Sequence, residues 1–360
     1  MRYLVVPRQE TEIWKEYLVS KGWMERSLSI EIEGSGRAIP LTNLFPNKAP
    51  IDLSKFDIIE KNTPTISPND YLGFLKIKVG EKIYNELENF WPQSFDQIGE
   101  LIIIKLEKEV EIFAKEIAQS LLSQNKKATR IFQDLGVQGN FRIRRLNLIG
   151  GSEKLGGETK VRENGVEFFV DPTKGYYSPR LATERLETLE CAVLLKEKLK
   201  RKLKICDAYA GFGPALMPLI KKKGLVDSIF ANDLNPKVTT ILQKNLIHNN
   251  KENIDLRITC EDARKLISLN GNIGFFDLLL VNLPHSTIEH LPSLIGLLNH
   301  NEASVLRAWS IIDSKRLDEI KTQIELLFSS ENFSISKIIV EAARTYSPTQ
   351  VYAKIEVWTN

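Results

Sequence analysis

The stretch Ile205-Cys206-Asp207-Ala208-Tyr209-Ala210-Gly211-Phe212-Gly213-Pro214 decides the fold of this chain. An apolar run ends in an acid, and a glycine turn then leads into a second apolar segment. That order belongs to a buried strand passing through a tight turn into a helix. A second apolar run, Ser228-Ile229-Phe230-Ala231, ends in Asn232-Asp233. It lies about twenty residues past the turn, the spacing of an acid that reaches a ribose. Two strands ending side by side in acids form a nucleoside-binding crevice.

The details of the turn select the cofactor. Gly211-x-Gly213 keeps two glycines of a dinucleotide fingerprint, but Leu216 stands at the third place. Pro214 falls at the expected first helical position. Proline there removes an N–H that a pyrophosphate needs. S-Adenosylmethionine carries no phosphate and suits such a turn. Gly211 and Gly213 let the backbone approach it closely. Asp233 is placed to accept hydrogen bonds from both ribose hydroxyls. Asp262, in Cys260-Glu261-Asp262-Ala263-Arg264 after a third strand, is placed to accept from the adenine amino group. A fourth strand ends in Asn282-Leu283-Pro284. There an amide and a neighbouring carbonyl can bond the edge of a planar base and turn a ring nitrogen toward the sulfonium. Asp207, Tyr209, Phe212, Leu234, Ala263, Pro284 and Arg180 complete the candidate cofactor set. The plainer alternative is a Rossmann-like fold with ordinary strand-end acids and helix caps, since fold alone specifies no ligand.

Outward from this core, strands and helices alternate from about residue 176. A helix covers Ala182 to Leu199, a helix starts at Pro214, and a strand runs from Phe276 to Val281. Later strands near Ser304, Ile335 and Val351 are close enough to add an antiparallel edge to a mostly parallel, doubly wound sheet. Two smaller α+β units precede it. Residues 1–48 hold a strand at Tyr3–Val6, a helix at Glu10–Lys21 stopped by Gly22, and an alternating strand at Ser27–Glu33. The proline-punctuated Phe45–Pro50 begins a linker, 49–69. Residues 70–175 hold the β-type run Leu101–Leu106, a helix at Lys108–Ser123, strands at Ala128–Asp134 and Phe141–Ile149, a glycine-rich loop at 150–157, and a strand at Val166–Val170.

Composition sets the outer bounds. Apolar residues make up 42% and charged residues 26% of the 360, as in an ordinary globular protein. A net charge of +3 is too small to imply nucleic-acid binding without local patches. Cys191, Cys206 and Cys260 are scattered, and His248, His285, His290 and His300 lack ligand spacing, so no disulfide framework or metal site is expected. No leader or membrane span is expected, and the cytoplasm is the expected compartment.

Taken together, these segments resemble the archaeal and eukaryotic tRNA (guanine-37, N1)-methyltransferases. The resemblance rests on Asp171–Arg185, Ala210–Pro214, Asn232–Pro236 and Asn282–Pro284, with Arg344-Thr345-Tyr346-Ser347-Pro348 similar to the closing motif. Leu306-Arg307-Ala308-Trp309-Ser310 departs from it, standing where the family usually shows a His-Tyr-Tyr-type strand. The resemblance implies a class I methyltransferase domain at 176–360, S-adenosylmethionine as cofactor, and tRNA as partner through its anticodon loop and outer corner. The implied roles are general base for Glu184, guanine contact for Arg144 with Arg142 as the alternative, and base stacking for Tyr176, with Tyr177 a core residue. The related wyosine-pathway enzymes tend to have Tyr at the place of Pro214 and Glu at the place of Asp233, and lack Asn-Leu-Pro. A wyosine-pathway transferase and a non-catalytic RNA-binding paralogue are the alternatives. Lysine runs at 196–204 and 221–223 are either solvated helix faces or RNA contacts.

Overall fold

The structure is a computed structural model and describes residues 1–25, 28, 30–61, 70–139, 143–269 and 271–360. Two compact units separate in it, Met1–Ile77 and Lys78–Asn360. Among the described residues, no helix is long and apolar enough to cross a membrane.

The first unit is built on a four-stranded antiparallel sheet in the order Glu31–Glu33, Gly36–Pro40, Arg2–Pro7, Ile58–Glu60. Helix Thr11–Ser20 turns Leu18 into a core with Leu4, Ile39 and Leu53. The strand expected from Ser27 is seen from Glu31, and Ser27 itself lies outside the described residues. Ile58–Glu60 falls inside the stretch read as linker, and Ile58 and Ile59 pair with Leu4 and Tyr3. Their apolar side chains suit a sheet edge, so the prolines before them punctuate a loop within this unit.

The second unit begins with a sheet ordered Asp96–Ile98, Leu101–Ile104, Arg130–Gln138, Ile143–Gly151. Gly150 and Gly151, expected in a loop, instead pair with Ile131 and Arg130. The reason is packing: a Cβ at Gly150 would lie 2.6 Å from the Cβ of Ala118. Glycine lets helix Ala114–Gln124 press against the strand. The antiparallel pair Thr159–Glu163 and Val166–Val170 follows.

The rest is a seven-stranded sheet in the order Asp255–Thr259, Val226–Asn232, Leu203–Asp207, Leu278–Asn282, Val305–Asp313, Gln350–Thr359, Ile335–Thr345. The first five strands are parallel, Gln350–Thr359 runs against them, and Ile335–Thr345 pairs antiparallel with Gln350–Thr359. Leu278-Leu279-Leu280-Val281 shows why a central strand is a continuous apolar run. Leu278 and Leu280 enter one core, while Leu279 and Val281 enter the core on the opposite face. From Leu203–Asp207 the chain builds outward to one side, then returns to place Leu278–Asn282 on the other. That reversal is the topological switch point, where the crevice opens at the strands' carboxyl ends.

Two local expectations change. The helix after the glycine turn is short, Leu216–Lys221, and begins two residues beyond Pro214. Gly213 takes φ +82°, and its carbonyl accepts from Leu216 N at 3.0 Å, so the turn holds Pro214 outside the helix. The segment after Asp262 is a 3-10 turn, Ala263–Ser268. The helix Ala182–Leu199 has the expected bounds.

Candidate active site

At one end of the crevice the strand-terminal acids are held by backbone. Asp207 is buried, and its Oδ1 accepts from Tyr209 N at 3.3 Å. Burial, reinforced by the nearby Asp233, pushes its carboxyl up to about 7 against the pull of that hydrogen bond. Asp233 accepts from Gly211 N at 3.0 Å and from Asn235 N at 2.9 Å, one bond to each oxygen. Burial also raises Asp233, against these two bonds. Asn232 ties three loops together: its amide donates to the carbonyls of Ala208 and Glu261, and its Oδ1 accepts from Thr259 Oγ1 and Glu261 N.

The two glycines of the turn serve different ends. A Cβ on Gly211, at φ +56°, would meet open space, so nothing crowds the backbone there. A Cβ on Gly213 would lie 2.8 Å from Leu242 Cδ1, so this one is required by packing. Phe212, expected from the sequence to contact the cofactor, is fully buried in the core, and its carbonyl accepts from Asn245 Nδ2 at 2.9 Å. It presents no side chain to the crevice. Ala263 is also buried, whereas Leu234 is exposed. Asp262 is gripped by Arg264, with Nε 3.0 Å from Oδ1 and Nη2 2.7 Å from Oδ2. That grip holds its carboxyl down at about 2. The Tyr209 hydroxyl meets His290 Nδ1 at 2.5 Å. The Pro284 carbonyl accepts from Ile311 N at 2.8 Å and Ser310 Oγ at 3.2 Å, fastening the fourth strand's end to the fifth.

At the other end, side chains hold side chains. Glu184 sits in the first turn of helix Ala182–Leu199, and its Oε1 pairs with Arg344, 160 residues away. Its Oε2 is buried with no hydrogen-bond partner among the described residues. Arg344 lies over the Tyr352 ring at 4.7 Å, and the Tyr352 hydroxyl donates to Asn282 Oδ1 at 3.4 Å. One cavity is lined by Glu184, Asp207, Tyr209, Asn282, Trp309 and Tyr352, among others. The expected base, the strand-end amide and a cofactor acid thus share one space.

Arg144 and Arg180 stand together elsewhere and do not line that cavity. Arg144 Nη1 bonds Asp96 Oδ2 at 3.2 Å and lies 3.9 Å from Asp134 Oδ2, while Arg180 Nη2 bonds Asp96 Oδ1 at 2.5 Å. The sequence reading assigns these arginines to different ligands, but they share one carboxylate. The alternative, Arg142, lies outside the described residues. Tyr176 is 57% exposed, as a stacking platform requires, whereas Tyr177 is buried with its hydroxyl on Glu163 at 2.9 Å. Arg185 joins the same Glu163 at 2.5 Å and is structural.

Residues 159–325 match the TRM5/TYW2 methyltransferase domain, and residues 75–154 match the TYW2 N-terminal domain. The chain is 31% identical over 297 residues to the tRNA (guanine(37)-N(1))-methyltransferase Trm5b of Pyrococcus abyssi, covering 81% of this chain and 80% of that one. The chain belongs to the Trm5 family. Its fold agrees with that assignment. The crystal structure of wild-type Trm5b from Pyrococcus abyssi superposes with a TM-score of 0.68 at 26% identity, covering 100% of this chain and 99% of that one. The complex structure of aTrm5 and tRNALeu gives a TM-score of 0.69 at 21% identity, covering both chains fully.

Within this Trm5 family member, sequence reasoning left Tyr352, Trp309 and His290 without roles. Arg344 stood in the quoted closing motif, a signal that its residue deserved a role, but its partner lies too far away in sequence to be inferred. The lysine run before the first parallel strand lies at the sheet end opposite the crevice. Part of it is structural: Arg201 pairs with Asp277 at 2.6 Å and Glu302 at 2.5 Å. Lys221 donates to the carbonyls of Asn164 and Gly165.

Proposed function

We propose that this chain transfers a methyl group from S-adenosylmethionine to N1 of the guanine at position 37 of tRNA. The observation that carries this reading is the single cavity joining Glu184, Asn282 and Asp207. The residues fit the cofactor. Gly211 leaves backbone open to it, and Asp233 keeps a second lone pair on each oxygen for the ribose hydroxyls. Asp207, raised by burial, gains a charged partner from the ammonium of the cofactor's amino-acid arm. When bound, S-adenosylmethionine supplies an electrophilic methyl carbon on sulfur.

The chain's own residues then manage a proton. Guanine N1 is protonated at neutral pH and must lose that proton to act as a nucleophile. Glu184 Oε2 is the unengaged acceptor that takes it, while Arg344 holds the other oxygen. Asn282, steadied by Tyr352, orients the base edge. Arg144 stabilises the charge that grows on O6, leaving Asp96 to do so, and Tyr176 stacks on the base. Asp262, held by Arg264, offers the adenine amino group its remaining lone pairs. The first unit recognises the tRNA outer corner, and the protein works in the cytoplasm.

Pro214, Asp233 and Asn282-Leu283-Pro284 favour methyl over aminocarboxypropyl transfer. Incubation with labelled cofactor and unmodified tRNA, followed by nucleoside analysis, tests the reading. N1-methylguanosine is expected. An aminocarboxypropyl adduct points to the wyosine pathway, and binding without product to an RNA-binding paralogue.

A further inference from the structure

The cavity contains a donor that the mechanism above does not use. Trp309 is 4% exposed, lines the same cavity as Glu184, and its indole N–H has no hydrogen-bond partner among the described residues. Buried donors are nearly always paired, and an exception calls for an explanation. Glu184, which lines the same cavity, has an unpaired oxygen too, its Oε2.

Trp309 is also held in place. It lies on strand Val305–Asp313, in register beside Asn282 on one side and Lys354 on the other. Thr287 Oγ1 donates to its carbonyl at 2.6 Å. Arg307, buried and paired with Glu356, lies 5.5 Å from the centre of its ring. Strand order puts Trp309 two strands from Asp207, with Leu278–Asn282 between, on the Asn282 side of the crevice. Trp309 and Asn282 thus line the cavity from adjacent strands.

We infer that the Trp309 indole N–H donates to the exocyclic oxygen of the target purine while Glu184 Oε2 accepts from the adjacent ring N–H. The inference rests on the proposed function. A 6-oxopurine presents an oxygen acceptor next to an N–H donor. Adenine presents an amino donor next to a bare nitrogen, the reverse at both positions. A donor and an acceptor lining one cavity match the first edge and are both left unpaired against the second, which is how a polar pocket discriminates strongly. O6 has two lone pairs, so this bond coexists with one from Arg144. As N1 loses its proton, charge moves onto O6 and the Trp309 bond strengthens.

A double cycle tests it. Single-turnover methyl transfer is measured for wild type and Trp309→Phe on tRNA transcripts bearing guanosine or 6-thioguanosine at the target position. Phe keeps an aromatic ring and removes the N–H, and sulfur is a poor acceptor. On guanosine, Trp309→Phe is expected to lose roughly 10- to 100-fold in rate, the low end for removing one buried donor, with cofactor affinity unchanged. The thio substitution is expected to cost wild type much more than the variant. Comparing the two ratios cancels the effect of sulfur on N1 acidity. A Phe variant as fast as wild type, or losses that simply multiply, overturns the inference while leaving the proposed function standing. If wild type makes no N1-methylguanosine on the guanosine transcript, the proposed function fails instead. Thermal melting and cofactor affinity establish whether the variant folds. Should Phe not be tolerated, Trp309→His retains a ring N–H and is expected to stay sensitive to sulfur; insensitivity overturns the inference.

Discussion

The two ends of the crevice are built by different means. At the cofactor end, the strand-terminal acids accept from backbone amides, Asp207 from Tyr209 and Asp233 from Asn235 and from Gly211, 22 residues back, and only Asp262 is gripped by a side chain as well, that of Arg264 two residues on. At the base end, side chains grip side chains across long stretches of sequence, Glu184 on Arg344 and Tyr352 on Asn282, and outside that cavity Arg144 and Arg180 grip Asp96 in the same way. The first arrangement is preorganised by the fold itself. The second depends on ion pairs that an arriving RNA can exchange for its own contacts.

This contrast can be broken by mutation. Glu184→Gln should cut the single-turnover rate by about 10²–10⁴-fold, the contribution of a positioned base, with cofactor affinity at the wild-type level. An unchanged rate removes Glu184 from its role. Asp233→Ala should do the opposite, weakening cofactor binding by about 10²-fold for two lost charge-assisted hydrogen bonds, measured by calorimetry. If the affinity holds, the ribose contact is wrong. Arg344→Ala should slow transfer roughly tenfold through a less constrained Glu184, again without touching cofactor affinity; a loss of cofactor binding instead would show that the two ends are not separable.

The smallest effect is a dependence on pH. Asp207 is raised to about 7 from an ordinary 3.8. Between those values the native state keeps a proton that the unfolded chain has lost, so stability falls as pH rises through that window. Asp207→Asn should flatten this slope. An ammonium partner favours the ionised form, so cofactor binding below pH 7 releases a proton and weakens as pH falls, by up to about tenfold per pH unit. Calorimetry in buffers of different ionisation enthalpy reads the proton directly, and its absence would exclude Asp207 as the ammonium's partner.

The same contrast explains what was legible in the sequence. The acids and glycines of the cofactor end follow their strands at regular spacing, so Asp207, Gly211 and Asp233 could be placed by counting. The exceptions were geometric. Phe212 sits between one unhindered glycine and one packed against Leu242, and its side chain is buried in the core. Gly150 and Gly151 read as a loop because nothing in their own neighbourhood announces that Ala118 presses against the first and the backbone of Thr129 and Arg130 against the second. At the base end the resemblance pointed to Glu184, but the contacts of Arg344, Tyr352 and Trp309 are set by the antiparallel edge, which periodicity reveals only as strands of unknown order. Arg180, next to a motif that otherwise points into the crevice, turns to Asp96 because an acid from another sheet is there to receive it.

That antiparallel edge also has a bearing on how the molecule folds. Strands Ile335–Thr345 and Gln350–Thr359 form a hairpin with a short connection, and only Gln350–Thr359 contacts the parallel sheet, along Val305–Asp313. Such a hairpin closes in microseconds as a local event, whereas the parallel pairings must close longer loops. Arg344 and Tyr352 stand opposite each other on that ribbon, so a single element carries the contacts of both Glu184 and Asn282, and a change that loosens it would release both while leaving the strand-end acids and the glycine turn in place.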